Sequence, residues 1–137
     1  MIRPIVKDIL LLSQKSEQAK RNDLSAACDL ADTLEANKDR CVGMAANMIG
    51  ITKNIIAVKD GSTSLVMLNP AITKTSKETY ETEEGCLSLT GSRSVTRYRW
   101  IEVTWEDMKF RKQKKRFHDF PAQIIQHEID HLQGILI

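Results

Sequence analysis

The segment Gln126-His-Glu-Ile-Asp-His-Leu-Gln-Gly134 constrains this chain more than any other, because it carries two of the three histidines in the order H-E-x-D-H. On a helix, His127 and His131 fall one turn apart on one face, so both imidazoles can reach one cation. Glu128 lies beside that face, within reach of a proton on water held there. Ala122, Ile125, Ile129 and Leu132 fall on the opposite side, where they can pack into a core. Pro121 suits a first helical turn, Asp119 favours the N-terminus and Gly134 suits a stop. An amphipathic helix with ordinary polar histidines would show the same apolar stripe, but it has no need of His, Glu and His at this spacing.

The rest of the chain must supply what this helix lacks. Its 137 residues suffice for a single domain spanning 1-137. A hydrophobic share of 42% and a charged share of 28% fit a globular protein, and a net charge of +2 points to no nucleic-acid or membrane partner. No apolar run approaches the ~20 residues of a membrane span, and the N-terminus shows no signal-like segment, so a cytoplasmic location is expected. Cys28, Cys41 and Cys86 are odd in number and form no C-x-x-C pair, which argues against a disulfide framework.

Local patterns predict an α+β fold: N-terminal helices, a mostly antiparallel sheet, and a closing helix that carries the H-E-x-x-H motif. Residues 5 to 20 predict one helix, and Leu24 to Leu34, with Asn22 and Asp23 as starters, predicts a second. Cys28 falls inside that second helix. Cys41 to Gly50 is rich in glycine and small residues, which suits a tight connection or a close backbone approach. Asn54 to Val58 and Leu65 to Leu68 flank Asp60-Gly61 and predict a hairpin, with Asn69-Pro70 marking its end. Thr73 to Thr82 suits an edge strand, and Ile101, Val103 and Trp105 alternate with polar residues as in a half-buried strand. Between Lys109 and Arg116 six of eight residues are basic, which suits the solvated turn of a hairpin better than a nucleic-acid patch.

A catalytic metal usually takes three protein ligands, and no side chain after His131 can ligate. The third ligand must come from upstream: His118, a carboxylate or a cysteine. His118 stands at a loop-to-helix junction, where a capping or surface role is expected. Cys86 sits in Glu83-Glu-Gly-Cys-Leu-Ser-Leu89, where a glycine permits close approach and a thiolate would bind a borderline cation.

Gly43-Met-Ala-Ala, Glu84-Gly-Cys-Leu-Ser88 and His127-Glu-Ile-Asp-His131 resemble, in order, the three signature motifs of peptide deformylases. The resemblance spans residues 41 to 131. It implies a Cys86, His127 and His131 site holding Fe²⁺ in the cell, replaceable by Zn²⁺ or Ni²⁺ in purified protein. It also implies removal of the N-terminal formyl group from formyl-methionine on nascent bacterial proteins, so that N-formylmethionyl peptides are the expected partners. Glu128 would move the proton, and Asp130 would either orient a ligand histidine or stand solvated. The resemblance places the Leu87 N–H at the developing oxyanion and pairs the strand around Val42 and Gly43 with the substrate main chain. Val42 would also line the methionine pocket. Glu84 is expected to form an ion pair with a basic residue such as Arg97, and Arg93 is a candidate substrate contact.

Two positions depart from the family pattern. Cys41 stands where the first motif has its first glycine, and Met48 replaces a glutamine whose amide donates to the oxyanion. A thioether cannot donate. Asn47 carries an amide one position away, but on extended backbone it would point elsewhere. The chain also ends soon after the motif, so docking to the ribosome through a C-terminal tail is not expected. Two readings follow: a working, slow deformylase, or a deformylase-like protein that binds metal or peptide without turnover. A zinc protease is disfavoured because no ligand follows His131.

Overall fold

A computed structural model describes residues 1–137. Its elements run α1 (Ile9–Leu12), α2 (Leu24–Ala36), β1 (Gly43–Ala45), β2 (Ile55–Asp60), β3 (Thr63–Thr75), β4 (Thr79–Cys86), β5 (Leu89–Tyr98), β6 (Trp100–Glu106), β7 (Lys112–His118) and α3 (Asp119–Leu132). Strands β1, β2, β3, β6 and β7 form an antiparallel sheet in that order, while β4 and β5 make a separate hairpin. The expected α+β architecture is what forms.

The sheet lies between α2 and α3, and the strand patterns follow from that. The run Ile55-Ile-Ala-Val58 does not alternate because both its faces are covered. Ile56 and Val58 belong to the core shared with Ile125 and Leu132 of α3, whereas Ile55 and Ala57 join Leu30 and Leu34 of α2. In β6 only Ile101, Val103 and Trp105 are buried, as their alternation predicts. Full burial of each such side chain contributes about 1.5–3 kcal/mol, which outweighs weak local preferences.

Those preferences misled at several places. The predicted helix over residues 5 to 20 shrinks to the single turn of α1, because the chain beyond it is held by tertiary hydrogen bonds. The Ser16 N–H donates to the Leu132 carbonyl, Glu17 to Thr52 and Ala19 to the Asn69 side chain. Asn69-Pro70 does end the hairpin pairing, whose last pair is Ile55 with Leu68, but it does not end the strand. Asn69 takes a left-handed φ of 51° at an irregularity in register, and β3 continues to Thr75. Thr73 to Thr82 is two strands in two sheets rather than one edge strand. The buried Ser76 hydroxyl donates to the Glu78 carbonyl and accepts from the Arg99 N–H, which turns the chain between β3 and β4.

The basic run is only partly a turn. Asp107 gathers the N–H groups of Lys109 and Arg111, and Lys112 to Arg116 then lie within β7 itself. Since β7 ends the sheet, its lysines also discourage edge-to-edge pairing with other chains. Cys28 sits on α2 as expected, but exposed.

Candidate metal centre

The α3 helix buries Ala122, Ile125 and Leu132 against the sheet, brings His127 and His131 to the β4–β5 hairpin and sets Glu128 beside Gly43 of β1. Cys86 ends β4 at the tip of that hairpin. One ligand atom from each of Cys86, His127 and His131 lies within 4.8 Å of the others. The two Nε2 atoms face each other at 3.0 Å, and the Cys86 sulfur accepts the Ser88 N–H at 3.4 Å. A sulfur and two facing imidazole nitrogens suit a borderline divalent cation, so the residues fit the metal that the motifs imply. His118 is exposed at the N-cap of α3, outside this group.

A buried acid–base network orients the first histidine. The His127 Nδ1 lies 2.7 Å from Glu84 Oε1. Glu84 also accepts three hydrogen bonds from the Arg97 guanidinium, the shortest at 2.6 Å, and one from Gln123 Nε2 at 2.9 Å. Burial opposes the Glu84 charge, but His127 and Arg97 outweigh it and hold its pKa at about 2. An ionised Glu84 holds one proton of His127 on Nδ1, so that Nε2 is the nitrogen that can ligate once its own proton is displaced. Asp130, part-exposed, makes no hydrogen bond to a histidine: it accepts from Arg97 Nη1 at 2.6 Å and so steadies the guanidinium that steadies Glu84.

Burial raises Glu128 to a pKa of about 7, against the opposing pull of His127. That value suits a group that accepts and returns a proton near neutrality. Burial and the charge of His127 push His131 down; burial also opposes the charge on His127, but the hydrogen bonds its ring donates to Cys86 and Glu84 outweigh it and push His127 up. With 3.0 Å between the two nitrogens, only one can carry a proton there.

A cleft of about 510 Å³ opens beside these groups, and Val42, Leu87, Leu89, Phe120 and Ile124 supply apolar wall. Gly43 brings β1 against α3. A Cβ there would lie 2.6 Å from Ile124 Cγ2 and 3.0 Å from Glu128 Oε2. Because β1 ends the sheet, one of its edges pairs with β2 and the other has no strand partner. The Leu87 N–H meets no acceptor of the chain. Arg93 is half-buried, donates to the Thr90 carbonyl and does not line the cleft.

Met48 lines the cleft floor while packing its side chain in the core beside Ile49. Asn47 does not stand in for the missing glutamine, although the backbone there is a 3₁₀ turn and not extended: its Nδ2 donates to the His131 carbonyl. Cys41 also lines the cleft, and burial followed by the charge of Glu128 pushes its thiol up to about 11, so it stays protonated. Sequence reasoning missed Gln123 and Tyr80, whose hydroxyl donates to Gln123 Oε1 at 3.0 Å. Gln123 stands four residues before His127 and could have been found by helical spacing. Tyr80 depends on the strand register that sets it opposite Arg97.

Comparison with known proteins agrees with this geometry. A family model described as polypeptide deformylase matches residues 2–137. A peptide deformylase of Clostridium beijerinckii is 56% identical over 137 residues, covering 100% of this chain and 100% of that protein. The K1U-bound class I type b peptide deformylase from Acinetobacter baumannii has a TM-score of 0.89 at 32% identity, over 99% of this chain and 96% of that one. A Met-Ala-Ser-bound structure of a class I type b deformylase from the same organism gives 0.88 at 30% identity, over 99% and 97%. With its signature residues gathered at one buried site and its full length matched, this chain belongs to the polypeptide deformylase family.

Proposed function

We propose that this chain hydrolyses the N-terminal formamide of formyl-methionyl peptides at a divalent cation held by Cys86, His127 and His131. One sulfur and two imidazole nitrogens converging beside the buried carboxyl group of Glu128 carry this reading. Such a cation, when bound, acidifies water and polarises a carbonyl. Fe²⁺ is the cation assigned in the cell, with Zn²⁺ or Ni²⁺ able to replace it in purified protein, since the mixed sulfur and imidazole set suits all three.

Glu128 takes a proton from the attacking water and returns it to the departing amine, so that formate and a free peptide N-terminus result. The Leu87 N–H, unengaged and at the cleft wall, donates to the oxyanion. The open edge of the strand at Val42 and Gly43 pairs with the peptide main chain, and Val42 with its apolar neighbours receives the methionine side chain. The Met-Ala-Ser bound by the Acinetobacter protein, a peptide that begins with methionine, supports a methionyl peptide as the ligand. Arg93, outside the cleft, contacts the peptide beyond its first residues. No helix is long and apolar enough to cross a membrane, and we assign the reaction to the bacterial cytoplasm.

Met48 favours a second reading, in which the chain binds metal and peptide without turnover. Loss of one oxyanion donor costs ~10²–10³ in rate, and a thioether in the cleft floor provides none. Formate release from formyl-Met peptides by the Ni²⁺-loaded protein, measured beside Met48→Gln, separates the two. Slow release by the natural protein that rises in the variant supports the enzyme. Silence in the natural protein with activity in the variant supports the binding protein, and silence in both rejects the assigned mechanism.

A further inference from the structure

His127 has a charged partner for its second ring nitrogen, whereas His131 has none. Its Nδ1 is buried and makes no hydrogen bond, and the residue is 0% exposed. Asn47, also 0% exposed, is already bonded to the same residue, because its Nδ2 donates to the His131 carbonyl at 2.9 Å. The other half of that amide, Oδ1, is buried and unpartnered too. When Nε2 ligates a cation, Nδ1 carries the proton and needs an acceptor. An unused acceptor thus stands on the residue that already holds His131 in place.

We propose that Asn47 is the positioning residue of His131, its Oδ1 accepting the Nδ1–H through one enclosed water. The inference rests on His131 being a metal ligand, as argued above. The 3₁₀ turn Ala46–Ile49 makes the arrangement possible, since it turns Asn47 into the protein toward α3 while Met48 borders the cleft. The two ligand histidines are then tuned differently, His127 by a carboxylate and His131 by a neutral amide. A carboxylate partner makes an imidazole the stronger electron donor, so the neutral amide leaves His131 the weaker one.

The test compares the natural protein with Asn47→Leu and Asn47→Asp. Co²⁺ affinity is measured by chelator competition, the Co²⁺ visible spectrum is recorded, and the Nδ1–H of ¹⁵N-labelled His131 is sought by NMR in Zn²⁺-loaded protein. Asn47→Leu should bind Co²⁺ ~10–100-fold more weakly, with a shifted spectrum and no protected Nδ1–H. Asn47→Asp keeps an acceptor but loses the donor to the His131 carbonyl, and it should regain most of the affinity and the protected proton. If Asn47 merely ties the turn to α3, Asp should be as poor as Leu, and that result overturns the proposal. Equal affinities and spectra in all three proteins overturn it as well. Should Asn47→Leu fail to fold by circular dichroism, the natural protein decides, because an unprotected Nδ1–H there rejects the hydrogen bond. Failure of the natural protein to bind Co²⁺ rejects the metal-site reading itself, and this proposal with it.

Discussion

Glu84 Oε1 and His127 Nδ1 stand 2.7 Å apart in the interior, and the Arg97 guanidinium donates to the same carboxylate. Removing Glu84 therefore disturbs a ligand and strands a cation at once. Glu84→Ala should weaken metal binding ~10–100-fold and destabilise the protein by about 3–5 kcal/mol, because the Arg97 guanidinium would be left buried without its main partner. Chelator competition and urea unfolding measure the two effects separately. The pKa of Glu84 is lowered from 4.5 to about 2 in the fold, so the stability it contributes is present above pH 4.5 and lost as the pH falls toward 2. In the metal-free protein this acid limb should flatten in Glu84→Gln.

Metal affinity should rise with pH. His127 is pushed up to about 10 in the absence of a cation, with burial opposing and the Cys86 and Glu84 hydrogen bonds prevailing, so a cation must displace its proton throughout the neutral range. One displaced proton corresponds to about tenfold in apparent affinity per pH unit. Co²⁺ titrations at pH 6, 7 and 8 check the slope, and a pH-independent affinity would contradict it.

Gly43→Ala should impair turnover more than folding. The added methyl collides with Ile124 and crowds the Glu128 carboxyl group, and since a misplacement of about 1 Å at a catalytic group costs ~10² in rate, the smaller shift here should lower turnover by less than that. Overpacking at the same contact should cost about 1–3 kcal/mol. Formate release at low temperature together with a thermal melt distinguishes the two.

Gly134→Ala should do the opposite. Gly134 has a left-handed φ of 79°, and a Cβ there would lie 2.3 Å from the Ser13 carbonyl oxygen. Strain plus collision with fixed backbone should lower stability by more than ~1 kcal/mol while the folded fraction keeps its activity. A reduced melting temperature with unchanged activity per folded molecule is the expected pattern.

Helical spacing alone put His127 and His131 on one face and Ala122, Ile125, Ile129 and Leu132 on the other, and all four apolar residues pack on the sheet core, Ile129 only half-buried. The alternation in β6 was equally legible, since a strand with one covered face writes its period into the sequence. Residues 5 to 20 were not legible, because what shapes them is a set of hydrogen bonds to Leu132, Thr52 and Asn69, far away along the chain. The turn at Ser76 escaped for a similar reason: its hydroxyl caps a chain reversal whose other partner, Arg99, lies in the later junction between β5 and β6.

The sequence by itself determined the chemistry of this protein: which side chains can ligate, which carboxyl group can carry a proton, and which helix presents them. Those properties are local, set by residue type and the period of one helix. Only the tertiary structure decided that Asp130 serves Arg97 and not a histidine, that Gln123 and Tyr80 extend the network behind Glu84, and that Asn47 turns inward to His131 while Met48 borders the cleft. Each of those pairings joins atoms contributed by separate elements, and their partners are chosen by packing across the hairpin, the 3₁₀ turn and α3, which no local pattern records.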